Sequence, residues 1–213
     1  MADVSAGSEQ VEEEFKAAAP AAVANATPLG LFALAVTLFV LSLINAGILA
    51  DAGFAIVIGL AIFLGGVVLL VAGIVEFRAG NTFTGTVFTS YSALWLSFGF
   101  ILLPGTGIFA VMIRENMVAP ALGSYLLAWT IYTALLTICV LRTNVVLLTL
   151  LVLLVLTLGS LTIYFLAGAS TSTFQIIGGY LGIITSIVAW YLGLAGLLPY
   201  INPRISLPVG PLS

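Results

Sequence analysis

The chain has 213 residues, 62% hydrophobic and 6% charged, with a mean hydropathy of +1.29 and a formal net charge of −3. A soluble domain carries about a quarter charged residues, so this composition excludes a water-covered globule. The apolar runs are about twice as long as a membrane β-strand requires, which excludes a barrel and leaves an all-α membrane protein. With no histidine and one cysteine, Cys139, set inside an apolar run, no metal site, cofactor or internal disulfide is expected. A membrane enzyme is equally unexpected, because no carboxylates converge, and no nucleic-acid partner is indicated.

Residues 1–26 form an Ala-rich leader with Asp3, Glu9, Glu12, Glu13 and Glu14 against Lys16. It lacks the positive start and apolar stretch of a secretory signal and reads as a solvated acidic tail or a partner-binding segment. The transmembrane domain is expected over 27–199. The first span is predicted from about 29 to 50. Pro28 suits its first turn and Asn25 or Thr27 is expected to cap it. Thr37, Ser42 and Asn45 fall on roughly one of its faces. The Asn45 amide, costly in an apolar helix unless it pairs or meets water, is assigned to the wall of a pathway.

Asp51-Ala52-Gly53 turns the chain into a nearly aliphatic second span, about 54–75, where Gly59, Gly65, Gly66 and Gly73 permit close packing. Glu76 and Arg78 follow, either as interfacial anchors or as a gating ion pair. Asn81 and Thr82 are expected to cap the third span, about 83–103, beside a vestibule. Thr86, Thr89 and Ser90 cluster there with Tyr91. These hydroxyls either line a pathway or bond back to their own helix carbonyls.

Gly107 to Ile113 is apolar but too short to span. The fourth span, about 119–141, carries Tyr125 and Trp129 one turn apart; Trp95 and Trp129 are read as packing residues. The fifth, about 145–167, is Leu-rich. The sixth, about 174–198, contains a GxxxG pattern at Gly178 and Gly182 and stops at Pro199, before a tail of residues 200–213. Six spans put both termini on one side. Lys16, Arg78, Arg142 and Arg204 lie on that side and Arg114 on the other, which predicts a cell-membrane protein with cytoplasmic termini.

Two blocks resemble the acetate uptake transporters, also called the GPR1/FUN34/YaaH or succinate-acetate permease-like family. Asn25-Ala26-Thr27-Pro28-Leu29-Gly30-Leu31 resembles the family's Asn-Pro-Ala-Pro-Leu-Gly-Leu, with Pro28 and Gly30 in register and Ala26 replacing the first Pro. The second is Ala72-Gly73-Ile74-Val75-Glu76-Phe77, Gly80-Asn81-Thr82-Phe83 and Phe88-Thr89-Ser90-Tyr91. Asn45-Ala46-Gly47 and Leu207-Pro208-Val209-Gly210 are weaker echoes.

The resemblance implies a six-helix protomer in a homohexamer, each protomer with its own proton-linked path for acetate and related monocarboxylates, succinate in some members. It also implies a narrowing where a first-helix Phe, a third-helix Tyr and a fifth-helix Leu meet. Tyr91 and Leu154 match, whereas Leu34 stands where the family sets the Phe. From the residues themselves, a path without mid-membrane Lys, Arg or His suits a neutral acid, or an anion held briefly by Asn, Thr, Ser and Tyr donors. A channel for urea or short amides, and a structural or sensory membrane protein without transport, are the competing readings.

Overall fold

The computed structural model describes residues 23–170 and 172–212; the acidic leader lies outside them. Six long apolar helices account for most of the chain. They are α1 (Thr27–Asn45), α2 (Asp51–Arg78), α3 (Thr82–Leu102), α5 (Val118–Cys139), α6 (Val145–Leu166) and α7 (Ser172–Ile201). A seven-residue helix, α4 (Ile108–Arg114), lies between α3 and α5 and has no buried residue. In hydrocarbon every backbone N–H and C=O must be satisfied within the protein, so runs this long and apolar resolve into helices almost regardless of propensity.

Helix α1 packs between α7 and α2, α2 packs on α3, and α5, α6 and α7 follow in sequence. Side chains of α3 and α5 meet through Tyr91 and Thr133, which closes the helices into a ring. Large apolar side chains such as Phe63, Ile56 and Ile138 point outward from it.

Glycines set the closest approaches. A methyl group added at Gly179 of α7 would overlap backbone atoms of Asn45 and Ala46 at the end of α1, and one at Gly182 would overlap Ser42. The GxxxG pattern thus seats α7 on α1 and, through Gly178 against Leu161, on α6. A backbone obstacle cannot rotate aside as a side chain can. Gly179→Ala is therefore expected to push α1 from α7 and destabilise the protomer by about 1–3 kcal/mol. Thermal unfolding in detergent checks this; an unchanged midpoint contradicts it.

Several boundaries differ from the sequence-based ones. Helix α1 stops at Asn45 rather than near 50, because Gly47 adopts φ +73° and turns the chain. Helix α2 runs on past 75 to Arg78, since Glu76 finds partners inside the protein. Its middle, Leu60–Val68, is wound as a π-helix, a rare form with wider turns. The Ser92 hydroxyl of α3 donates to the Gly66 carbonyl in this stretch at 2.9 Å. Helix α7 continues through Pro199 to Ile201. Thr37 also leaves the face assigned to it: its hydroxyl bonds the Ala33 carbonyl at 2.8 Å and its methyl group faces Gly65 of α2.

Candidate functional site

At one end of the bundle the α2–α3 turn fixes the geometry. Gly80, at φ +80°, closes α2: Gly80 N–H bonds Phe77 O at 3.0 Å and Asn81 N–H bonds Glu76 O at 2.9 Å. This double bond pattern, with the residue after the helix left-handed, is the Schellman stop, which favours glycine. Asn81 then caps α3, its Oδ1 accepting from Thr84 N–H at 3.2 Å. The turn also brings the Asn81 amide to Glu76 Oε2 at 2.7 Å.

Glu76 is 1% exposed. Its other oxygen accepts from Ala26 N–H at 2.8 Å and from the Thr27 hydroxyl at 3.0 Å. Helix α1 is therefore capped neither by Asn25 nor by Thr27. Its N-cap is Ala26, without a side-chain cap of its own, and the anion that favours a helix N-terminus comes from α2. Asn25 instead accepts from Thr27 N–H at 2.9 Å, which shapes the approach to the helix. Arg78 is exposed, and the ion pair among the described residues is Arg114–Glu115. The Glu76–Arg78 gating pair does not form, because residues two apart on a helix do not face each other: Glu76 is buried against the start of α1 and Arg78 is exposed. Pro28 is buried in the first turn of α1, and Gly30 gives room to the Phe88 ring. Thr82 is exposed at the start of α3.

Three cavities follow one another through the ring. The near vestibule, about 370 Å³, lies at the end where the described residues begin and finish and is bordered by Asn25, Thr27, Phe88 and Asn144. The far vestibule, about 400 Å³, is bordered by Asn45, Asp51, Tyr125 and Gln175. A central cavity of about 50 Å³ lies between them. Leu34, Tyr91 and Leu154 border both the near vestibule and the central cavity, and so form the neck between them. All three are buried, at 5%, 2% and 4% exposure. Asn45 borders the central cavity and the far vestibule.

The neck is apolar in effect. Tyr91 and Thr133 hydroxyls lie 2.6 Å apart, and Thr133 donates its own proton to the Trp129 carbonyl at 2.7 Å. Tyr91 is thus the donor in that contact, and its proton is spent on α5. Its ring rests against Trp129 with centroids 5.9 Å apart. Thr84 of α3 borders the near vestibule, but Thr86, Thr89 and Ser90 do not reach these cavities. Thr89 donates to the Gly85 carbonyl at 2.8 Å, Ser90 to Val87 at 2.9 Å, and Thr89 presents its methyl group to Gly73 of α2. Thr86 is half-buried and borders none of the three. Of the two readings of this cluster, hydrogen bonds to the helix's own carbonyls describe Thr89 and Ser90.

Sequence reasoning missed one wall of the near vestibule. The segment after α7 folds back over it, with Leu207 and Val209 as lining. Tyr191 donates to the Pro208 carbonyl at 2.7 Å, Val145 N–H to Gly210 O at 2.7 Å, and Leu212 N–H to Thr143 O at 3.0 Å. The echo at Leu207-Pro208-Val209-Gly210 was the available signal.

Aligned cavities through a ring of apolar helices, pinched by a hydrophobic neck, define a multi-pass membrane protein of the channel and transporter class. The chain belongs to the GPR1/FUN34/yaaH family, which it matches over residues 7–213. Two relatives in Saccharomyces cerevisiae are accumulation of dyads protein 2, 43% identical over 84% of this chain and 64% of that protein, and ammonia transport outward protein 2, 41% identical over 88% and 67%. The chain spans about two thirds of the length of these yeast relatives. The succinate-acetate/proton symporter SatP of Escherichia coli is 32% identical over 88% of this chain and 96% of its own. A solved structure of the bacterial acetate channel SatP superposes with a TM-score of 0.76 at 32% identity, covering 88% of this chain and 99% of that one.

Proposed function

We propose that this protein carries acetate and related small monocarboxylates, succinate included, across the cell membrane, and that the proton travels with the solute as the neutral acid. The observation that carries this reading is the neck. Leu34, Leu154 and a Tyr91 whose hydroxyl is already bonded to α5 offer a carboxylate no free donor, and among the described residues no cationic side chain borders the three cavities. An unpaired anion in such surroundings is strongly disfavoured, whereas an undissociated acid loses only a few hydrogen bonds. No intramembrane chain of carboxylates offers a separate proton route. The names borne by SatP support the solute class.

The test is flux through purified protein in liposomes at fixed total acetate. Above the acid's pKa the rate is expected to fall about tenfold per pH unit, following the undissociated fraction. A rate that tracks total acetate overturns the neutral-acid step.

Ammonia is a second reading, favoured by the name of a yeast relative, and the same neck would admit it because it too is uncharged. The two solutes move the internal pH of a vesicle in opposite directions, so one stopped-flow experiment separates them. Competition by urea and short amides tests the remaining channel reading. Arg78, Arg142 and Arg204 at the end where the described residues begin and finish, against Arg114 opposite, support termini that face the cytoplasm. The homohexamer implied by the family resemblance is proposed with them and is read out by native mass spectrometry.

A further inference from the structure

Trp95 stands one helical turn beyond Tyr91 on α3, so both side chains share the inner face of that helix and border the central cavity. The indole is 4% exposed and is held on two sides. Its Cγ–Cδ1 edge lies over Gly65 of the π-wound stretch of α2, where a methyl group would meet these atoms at 2.7 and 2.8 Å. Phe98 packs against it edge-on, with centroids 6.3 Å apart and planes at 75°. A ring fixed in this way cannot swing its N–H towards another acceptor.

That N–H has no acceptor. Among the described residues, Trp95 Nε1 is the buried side-chain polar atom left without a hydrogen-bond partner. Buried donors are almost always paired, and neighbouring hydroxyls obey the rule: Tyr91 bonds Thr133, Ser92 bonds the Gly66 carbonyl and Tyr125 bonds the Leu94 carbonyl at 2.8 Å. A phenylalanine would fill much of this site without the orphaned donor. What the tryptophan adds is a group that can only donate, beside a cavity of about 50 Å³, room for a solute of a few heavy atoms or for water.

We propose that Trp95 is a specificity-determining residue of the pathway, its indole N–H donating to the carboxyl oxygen of the solute as it rests in the central cavity beyond the neck. The inference rests on the carboxylic-acid reading above. It adds a donor that reading does not use, and assigns a binding role to a residue whose spacing suggested packing. Ser42 and Asn45 border the same, largely apolar, cavity from α1.

Two measurements test it. In liposomes, Trp95→Phe is expected to raise the half-saturation concentration for acetate roughly three- to tenfold, as loss of one such hydrogen bond implies, with unchanged thermal stability in detergent. In a protein carrying Trp129→Phe and Trp190→Phe, Trp95 is the remaining tryptophan, and its emission is expected to change saturably with added acetate but not with matched chloride. This second measurement keeps Trp95 in place and does not depend on how the phenylalanine variant folds. Wild-type acetate flux with an unaltered half-saturation in Trp95→Phe, or with Trp95 emission indifferent to acetate, overturns the proposal and leaves the transport reading standing. Wild-type protein that passes ammonia and no acetate overturns both.

Discussion

Glu76→Ala is expected to unfold the near end of the pathway and abolish flux, although Glu76 borders none of the cavities. The side chain is an acceptor shared by three donors from two other segments: Ala26 N–H, the Thr27 hydroxyl and the Asn81 amide. Leaving a buried donor unpaired costs about 1–3 kcal/mol, and the anion at the start of α1 contributes about 0.3–1 kcal/mol more. A total loss of about 1–4 kcal/mol is a large part of what holds a small protein together. Asn25 and Thr27 border the near vestibule directly, so a loosened α1 start alters the mouth as well as the stability.

A conservative series makes the argument specific. Glu76→Gln keeps the size but introduces an NH2 group. Whichever way the amide is turned, it confronts a donor: Asn81 on one side, Ala26 N–H and the Thr27 hydroxyl on the other. Adding Asn81→Asp supplies an acceptor opposite the new amide, and Asp can still cap α3 through Thr84 N–H. The double variant is therefore expected to recover much of the stability lost in Glu76→Gln. Thermal unfolding of the three variants in detergent decides the matter. Wild-type stability in Glu76→Ala, or no recovery in the double variant, sinks the shared-acceptor account.

The neck yields the second large effect. Tyr91→Ala removes a ring packed on Trp129 together with the bond to Thr133. It is expected to cost about 3–5 kcal/mol and to merge the near vestibule with the central cavity. Proteins that remain folded should then admit larger acids at rates closer to acetate. Leu34→Phe acts in the opposite direction, placing an aromatic ring where Leu34 and Leu154 face Tyr91, and should slow succinate more than acetate. Tyr91→Phe keeps the ring and gives up one hydrogen bond, about 0.5–1.5 kcal/mol, so size selection should survive. Flux of a graded series of acids through the three variants checks this. Unchanged selection in a folded Tyr91→Ala protein would place the narrowest point elsewhere.

Much of the architecture was legible before any fold was seen, for a physical reason. Lipid offers the backbone no hydrogen bonds, so the length of an apolar run alone selects a helix and its approximate limits. Local chemistry was legible too: Asn81 caps α3, and glycines stand where helices touch. The side chains that matter at the neck were accessible only through the family resemblance, since Leu34 and Leu154 sit in featureless apolar stretches.

What remained hidden depends on which face of a helix meets which neighbour. A run of hydroxyls on α3 reads as polar, yet Thr89 and Ser90 turn their protons onto their own helix and away from the cavities. Glu76 and Arg78, close in sequence, separate into a buried acceptor and an exposed cation. The tail beyond α7 proves to be a wall of the near vestibule, because Tyr191, Thr143 and Val145 hold it there. Composition and apolar run length determined that this chain crosses the membrane six times. Tertiary structure alone decided that a carboxylate fifty residues away starts the first helix, that the Tyr91 hydroxyl at the neck is bonded to α5, and that Trp95 is left with a proton to give. Hydropathy adds along the chain residue by residue, whereas hydrogen-bond satisfaction is settled between segments that only folding brings together.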